Sequence, residues 1–142
     1  MGIFDIFKQK KPKLIDDIHA AAEWIAQAMN SSDYELNFSI DSVKEIDRFI
    51  NDHSDNGDAK AGGLLEERIG SKLFAIGSYI SVIFEKTYGA AIITDDNDPQ
   101  GEINFSVKIG NNEFWPVQKT MKRFKNGNED NLHNYVQLLI PK

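Results

Sequence analysis

An α+β domain, ordered as three helices, a small three-stranded antiparallel sheet and then two helices, is predicted by three features of this 142-residue chain. Apolar residues recur at helical spacing in three stretches before Tyr88. They then alternate with period two over a short central region. Helical spacing returns after Pro116, and a run of strands set apart from runs of helices defines this class rather than a βαβ alternation.

The first helix is expected from Leu14 to about Asn30, where Leu14, Ile18, Ala21, Ile25 and Ala28 share one face and Asp16 and Asp17 complement the dipole in the first turn. "NSSDYELNFS" breaks the period. A second helix starts at Ser39 or Asp41 as N-cap and turns Val43, Ile46, Phe49 and Ile50 inward. It ends in "NDHSDNGDAKAGG", a polar loop of about a dozen residues, a length at which connections are often functional. The third helix carries Leu65, Ile69, Leu73, Ile76, Ile80 and Ile83, and its second half is apolar nearly all round, as a central helix should be. Gly63, Gly70 and Gly77 lie seven apart, a stripe that predicts close approach of another element.

Gly89 stops that helix, and a short strand is expected over Ala90 to Thr94. "NDPQG" is a turn, "EINFSVKI" a strand with Ile103, Phe105, Val107 and Ile109 on one face, and "EFW" the return strand after "GNN". Pro116 opens a helix with Val117, Met121 and Phe124 inward, Asn126 and Gly127 stop it, and Glu129 and Asp130 lead into a last helix. The expected organisation is a basic tail over residues 1–13, with Lys8, Lys10, Lys11 and Lys13, and one domain over residues 14–142.

Composition narrows the chemistry. A chain of this length buries roughly two-thirds of its unfolded surface and needs neither metals nor disulfides to fold. It has no cysteine, which excludes thiol nucleophiles and thiolate metal sites and predicts a cytoplasmic location. "MGIFDIFKQKKPK" puts its apolar run before its lysines, the reverse of a secretory signal, and Ile6 stands where a myristoylation signal wants Ser or Thr. Leu73 to Phe84 is too short an uncharged run to span a bilayer. Net charge is −6, and residues 33–67 concentrate it, with ten acids against three bases. Such a segment repels phosphate and attracts a basic protein.

No stretch names a reaction. His19, His53 and His133 are far apart and outside any metal-ligand spacing, and the nucleophile-elbow, phosphate-loop and dinucleotide motifs are absent. "DNDPQGE" begins like a calcium loop but places Val107 where the bidentate glutamate belongs. Lys119, Lys122, Arg123 and Lys125, near Phe114 and Trp115, have the ingredients of a nucleic-acid surface, yet the apolar spacing around them and the acids that follow read as the solvated face of an amphipathic helix. Glu85 or Glu129 would be the base of an enzyme, but neither has a partner motif, so no catalytic residue, metal or cofactor is assigned and no enzyme is expected.

"LFAIGSYISVIFEKTYGAAI", a strand pair and "FWPVQKTMKRFKNGNEDNLHNYVQLL" together resemble a bacterial family of small cytoplasmic proteins of unassigned function, of the kind found among toxin-immunity-type proteins. Gly77, Tyr79, Gly89, Pro116, Lys119, Arg123, Gly127, Glu129 and Leu132 carry the resemblance, with "FSIDSVKEIDRFI" upstream. It implies a binding role, that of an immunity protein occluding a bacterial toxin; the acidic segment suits a basic partner, and neither nucleic acid nor a membrane span is expected. The expected contact acids are Asp41, Glu45, Asp52, Asp55, Asp58, Glu66 and Glu67. The alternative is a small-ligand or regulatory domain with a pocket between helix three and the sheet, near Tyr79, Tyr88, Trp115 and Lys119.

Overall fold

Two long helices set the frame. In a computed structural model that describes residues 13–141, α1 (Leu14–Asn30) and α3 (Ile69–Tyr88) form the most extensive pairing in the molecule. They run antiparallel: His19, early in α1, meets Glu85, late in α3, while Met29 at the end of α1 shares a groove with Lys72 near the start of α3. Of the basic tail only Lys13 is described, as the N-cap of α1. Its remaining residues, 1–12, lie outside the described part.

Between these helices comes a 3₁₀ turn (Ile40–Ser42), capped by the Ser39 hydroxyl, which accepts from the Ser42 amide, and then α2 (Val43–His53). The predicted polar loop is a built structure. Two-residue strands β1 (Ser54–Asp55) and β2 (Asp58–Ala59) pair antiparallel around Asn56 and Gly57, both at positive φ as a type I′ hairpin requires. A Cβ on Gly57 would stand 3.4 Å from the Lys125 carbonyl oxygen, so the hairpin seats on a neighbouring helix. The third helix begins one turn later than its periodicity suggests. Leu65 is fully buried, but it enters the core from a turn, and the chain reverses at Arg68, which has φ +54°.

After the left-handed cap at Gly89, β3 (Ala91–Ile93), β4 (Ser106–Ile109) and β5 (Asn112–Phe114) form the predicted antiparallel sheet in the order β3-β4-β5. Val107 sits opposite both Ile92 and Phe114. The first half of the predicted long strand is instead a single helical turn, α4 (Gly101–Asn104), because Asp98 accepts from the Gln100 amide at 2.8 Å and the Asn104 side chain at 3.0 Å. Then follow α5 (Pro116–Asn126), a 3₁₀ turn (Gly127–Asp130) that takes Glu129 and Asp130 out of the last helix, and α6 (Leu132–Leu139). The α+β class holds, with six helices and two small sheets among the described residues.

Two close approaches lock the second half onto the first. Of the three spaced glycines only Gly77 lies at a helix crossing: a Cβ there would meet Val117 Cγ2 at 2.6 Å and its backbone N and Cα at 2.9 Å. A Cβ on Gly70 would meet nothing within 4 Å, and Gly63 lies before the helix. The other contact is ionic. Arg123, expected on a solvated face, is only 1% exposed. Its Nε donates to Asp47 Oδ1 at 2.8 Å, and its Nη2 donates to the Asp47 carbonyl and to Asn51 Oδ1. The same carboxylate accepts from the amides of Leu132 and His133, at 3.0 and 2.9 Å, and so caps α6. The inward face of α5 is therefore Val117, Thr120 and Arg123, while Met121 turns outward.

Two stability outcomes follow from these contacts. Gly77→Ala lowers stability by about 1–3 kcal/mol through overpacking, although alanine is the better helix former, whereas Gly70→Ala does not lower it. Urea denaturation of both variants checks this, and a raised midpoint for Gly77→Ala would show that the helices separate freely. Asp47→Ala costs about 3–5 kcal/mol because it leaves a buried guanidinium uncompensated, and the double variant Asp47→Leu/Arg123→Met costs less than that single change. The same titration decides it: equal losses in the two variants would mean that the charge is not the source of the penalty.

Candidate functional site

An open groove of about 570 Å³ runs along the α1–α3 pair, lined by Ala20, Ala21, Ala75, Trp24 and Phe74 together with Arg68 and Lys72. A second depression of about 190 Å³ shares Trp24 and Lys72 and continues past Met29 and Phe49 to Leu64. Trp24 is 51% exposed and Leu64 44%. Two half-exposed large apolar side chains lining one depression make a patch rather than scattered surface residues. Glu67 and Arg68 stand on its rim, and Lys72 Nζ donates to the Leu64 carbonyl.

The wall that carries Leu64 is held by polar contacts. Leu64 N–H donates to His53 Nδ1 at 3.1 Å, and Tyr34 Oη lies 3.3 Å from the other ring nitrogen. Tyr34 in turn donates to Asp52 Oδ2 at 2.6 Å. Burial first, then the neighbouring Asp52 carboxylate, push the Tyr34 phenol up to about 12. His53 moves the other way, its pKa lowered mainly by burial of the ring and further by Lys60 and Lys72 against the opposing pull of Asp52.

The seven expected contact acids divide into two kinds. Glu45 is gripped by Arg48 Nε and Nη2 at 2.8 and 3.0 Å, which lowers its pKa, and it also accepts the Glu35 amide. Asp52 takes the Tyr34 hydroxyl, Glu66 accepts the Gly62 amide at 2.6 Å, and Asp41 pairs with Lys44 at 3.2 Å. Asp55, Asp58 and Glu67 are exposed, and among the described residues their side chains make no hydrogen bond or ion pair. Asp55 and Asp58 are also direct cross-strand partners, a like-charge pairing that weakens the hairpin on its own.

The structure does not bring the alternative pocket's four residues together. Tyr79 is fully buried, with its hydroxyl bonded to the Phe38 amide at 2.7 Å and to Ser42 Oγ at 2.6 Å. Tyr88, nine residues on, lies on the opposite side of the same helix, against Phe84. Lys119 Nζ pairs with Asp130 at 3.4 Å and sits 4.5 Å from the centre of the Tyr135 ring. Of the four, Trp115 lines a small cavity of about 200 Å³ together with Ile93, Asp95, Asp98 and Glu113.

Of the remaining charged candidates, Glu85 bonds His19 at 2.7 Å, and Glu129 is exposed in the last 3₁₀ turn. Of the four bases on α5, Lys122 and Lys125 are exposed, Lys119 is half-buried, and Arg123 is internal. Among the described residues no three His, Asp or Glu side chains are grouped to hold a metal ion, and no helix is long and apolar enough to cross a membrane. Comparisons with protein-family models, with curated proteins and with solved structures find no match.

Trp24 and Leu64 are absent from the sequence-based candidates, although both leave a signal. Trp24 falls one position off the apolar face that Ile18, Ala22 and Ile25 define. Leu64 and Leu65 are adjacent on a turn, where only one of the two can point inward.

The Tyr34 phenol generates a pH prediction. Because its folded pKa lies above the ordinary value of about 10, its contribution to stability is fully present below pH ~10 and is lost as pH rises from there toward 12. Urea midpoints measured from pH 8 to 11 should fall more steeply in the native protein than in Tyr34→Phe. Identical profiles would remove Tyr34 from the account.

Proposed function

We propose that this chain is a protein-binding domain whose contact surface is the Trp24–Leu64 groove and the acids beside it. The observation that carries the reading is the pair of half-exposed apolar side chains, Trp24 and Leu64, that line one depression continuous with the α1–α3 groove at Trp24 and Lys72. Interfaces gain most of their energy from a few aromatic and aliphatic anchors at the centre, ringed by polar residues that steer encounter. Here the anchors are Trp24 and Leu64. The ring includes Glu67 at the groove and the exposed Asp55–Asp58 pair on the hairpin that precedes the Leu64 segment.

The partner is a basic protein that inserts an apolar side chain flanked by lysine or arginine. Two features support that chemistry: the net charge of −6, and the like-charged hairpin, whose repulsion an approaching cation relieves. Its finer form is an immunity-type role, neutralising a basic bacterial toxin, which is what the resemblance in the second half of the chain implies.

Co-expression with the products of neighbouring genes tests both levels. One neighbour should be toxic alone and harmless with this chain. Trp24→Ser should weaken the purified complex at least about 30-fold, the loss expected of an interface hot spot, with the circular dichroism spectrum unchanged. A neighbourhood without a toxic product overturns the immunity form, and undiminished binding by Trp24→Ser and Leu64→Ser overturns the groove.

A further inference from the structure

We infer that His53 is a proton-operated latch on the Leu64 wall of the groove: protonating its ring ejects the Leu64 amide and frees that wall to move. The consequence for binding rests on the reading of the groove as a docking surface. The latch itself does not.

The hydrogen bonds assign the tautomer. Nδ1 accepts from Leu64 N–H at 3.1 Å, so in the latched state Nδ1 carries no proton. The ring proton is then on Nε2, where it points at the Tyr34 oxygen 3.3 Å away, and Tyr34 passes its own proton toward Asp52 at 2.6 Å. Each donor in this chain has an acceptor. A second ring proton can only go to Nδ1, which turns the contact with Leu64 into two donors face to face.

There is little room to absorb that change. A Cβ on Gly63 would lie 3.2 Å from Nδ1 and 3.1 Å from the Lys60 carbonyl, so residues 60 to 64 already close tightly over the ring. The ring's other face is taken by Phe49, with centroids 4.8 Å apart. Leu64 has more freedom than the ring, being 44% exposed and followed by Leu65, which anchors the far side in the core. Release falls on the segment Gly62–Leu64, which Glu66 at the Gly62 amide and Lys72 Nζ at the Leu64 carbonyl continue to tether at its two ends.

The charged groups facing the ring come from three directions. Asp52 precedes it on α2 and favours the cation, with Tyr34 beyond it from the α1–α2 connection. Lys60, just after β2, and Lys72, on α3, both oppose it. Together with burial they hold the folded pKa below the ordinary value of about 6.5. A base with a depressed folded pKa takes up its proton on opening, so the latch is fully engaged above pH ~6.5 and weakens as pH falls below that.

Amide hydrogen exchange on the free protein reads this directly. After correction for intrinsic rates, the Leu64 protection factor should be flat above pH 7. It should then drop about tenfold for each pH unit below ~6.5 until the folded pKa is reached, while Ile76 and Tyr79 in the core hold theirs. His53→Asn offers Leu64 an acceptor that does not titrate, and its profile should stay flat. A pH-independent Leu64 in the native protein, or the same drop in His53→Asn, overturns the latch. Because no partner enters the measurement, its outcome is separate from that of the groove: a flat profile with intact partner binding removes the latch alone, and a pH-dependent profile with no effect of Trp24→Ser on binding removes the groove alone.

Discussion

The ion pair between Arg123 and Asp47 is the constraint on which the arrangement of the helices depends. It joins α5 to α2 across 76 residues and, through the two amides that the same carboxylate accepts, joins both to the start of α6. A buried charge pair of this kind does little for net stability against an apolar replacement. Its effect is selective: an unpaired guanidinium at that depth is so costly that every arrangement of α2 that misplaces Asp47 is disfavoured. The crossing at Gly77 and Val117 adds the second fixed point, holding α5 against α3. Once α5 is seated on α3 and α2 on α5, the end of α2 has one position, and that position places Phe49 and His53 beneath Leu64. The groove wall is thus set by a salt bridge buried inside the domain.

Where a segment's own periodicity decides its conformation, the sequence is a sufficient guide. The first helix runs over Leu14–Asn30 as its apolar spacing requires, and Pro116 and Gly127 bound α5 as their fixed and left-handed backbone preferences demand. Elements set by longer-range or side-chain contacts are not visible that way. Leu65 continues the spacing of α3, but the spacing cannot show that the backbone reverses at Arg68. Ile103 alternates with Phe105 as a strand would, and the Asp98 side chain nonetheless closes a helical turn that takes in Ile103 and ends before the extended Phe105. Arg123 shows the limit most clearly. Its charge places it outside by any surface rule, and only the carboxylate of a residue 76 positions away explains why it is inside.

The candidate site is legible to a smaller degree for the same reason. Charge density singles out the segment from Asp41 to Glu67, but density does not reveal which acids are occupied. Arg48, Tyr34 and the Gly62 amide engage Glu45, Asp52 and Glu66 in contacts within their own surroundings. Asp55, Asp58 and Glu67 are exposed and make no such contact among the described residues. The tyrosines fail as a pocket because helical geometry sends Tyr79 and Tyr88 to opposite sides, and because the core consumes the Tyr79 hydroxyl.

Trp24 is where the fold and the proposed function make opposing demands. A tryptophan buries up to about 250 Å² when enclosed, so leaving half of it in water forgoes roughly 3 kcal/mol at about 25 cal/mol per Å². The alanines at 20, 21 and 75 are good helix formers and have a structural reason to be there, yet they are also small enough to leave the trough open beside that ring. Ala75 is itself in the core, where a larger side chain would overpack the helix pair, so the domain has no ready way to cover Trp24 from within. The free energy left unclaimed is comparable to the contribution of a single interface anchor. It becomes available only to a second molecule that covers the ring, and Leu64, which lines the same depression, would be covered in the same event.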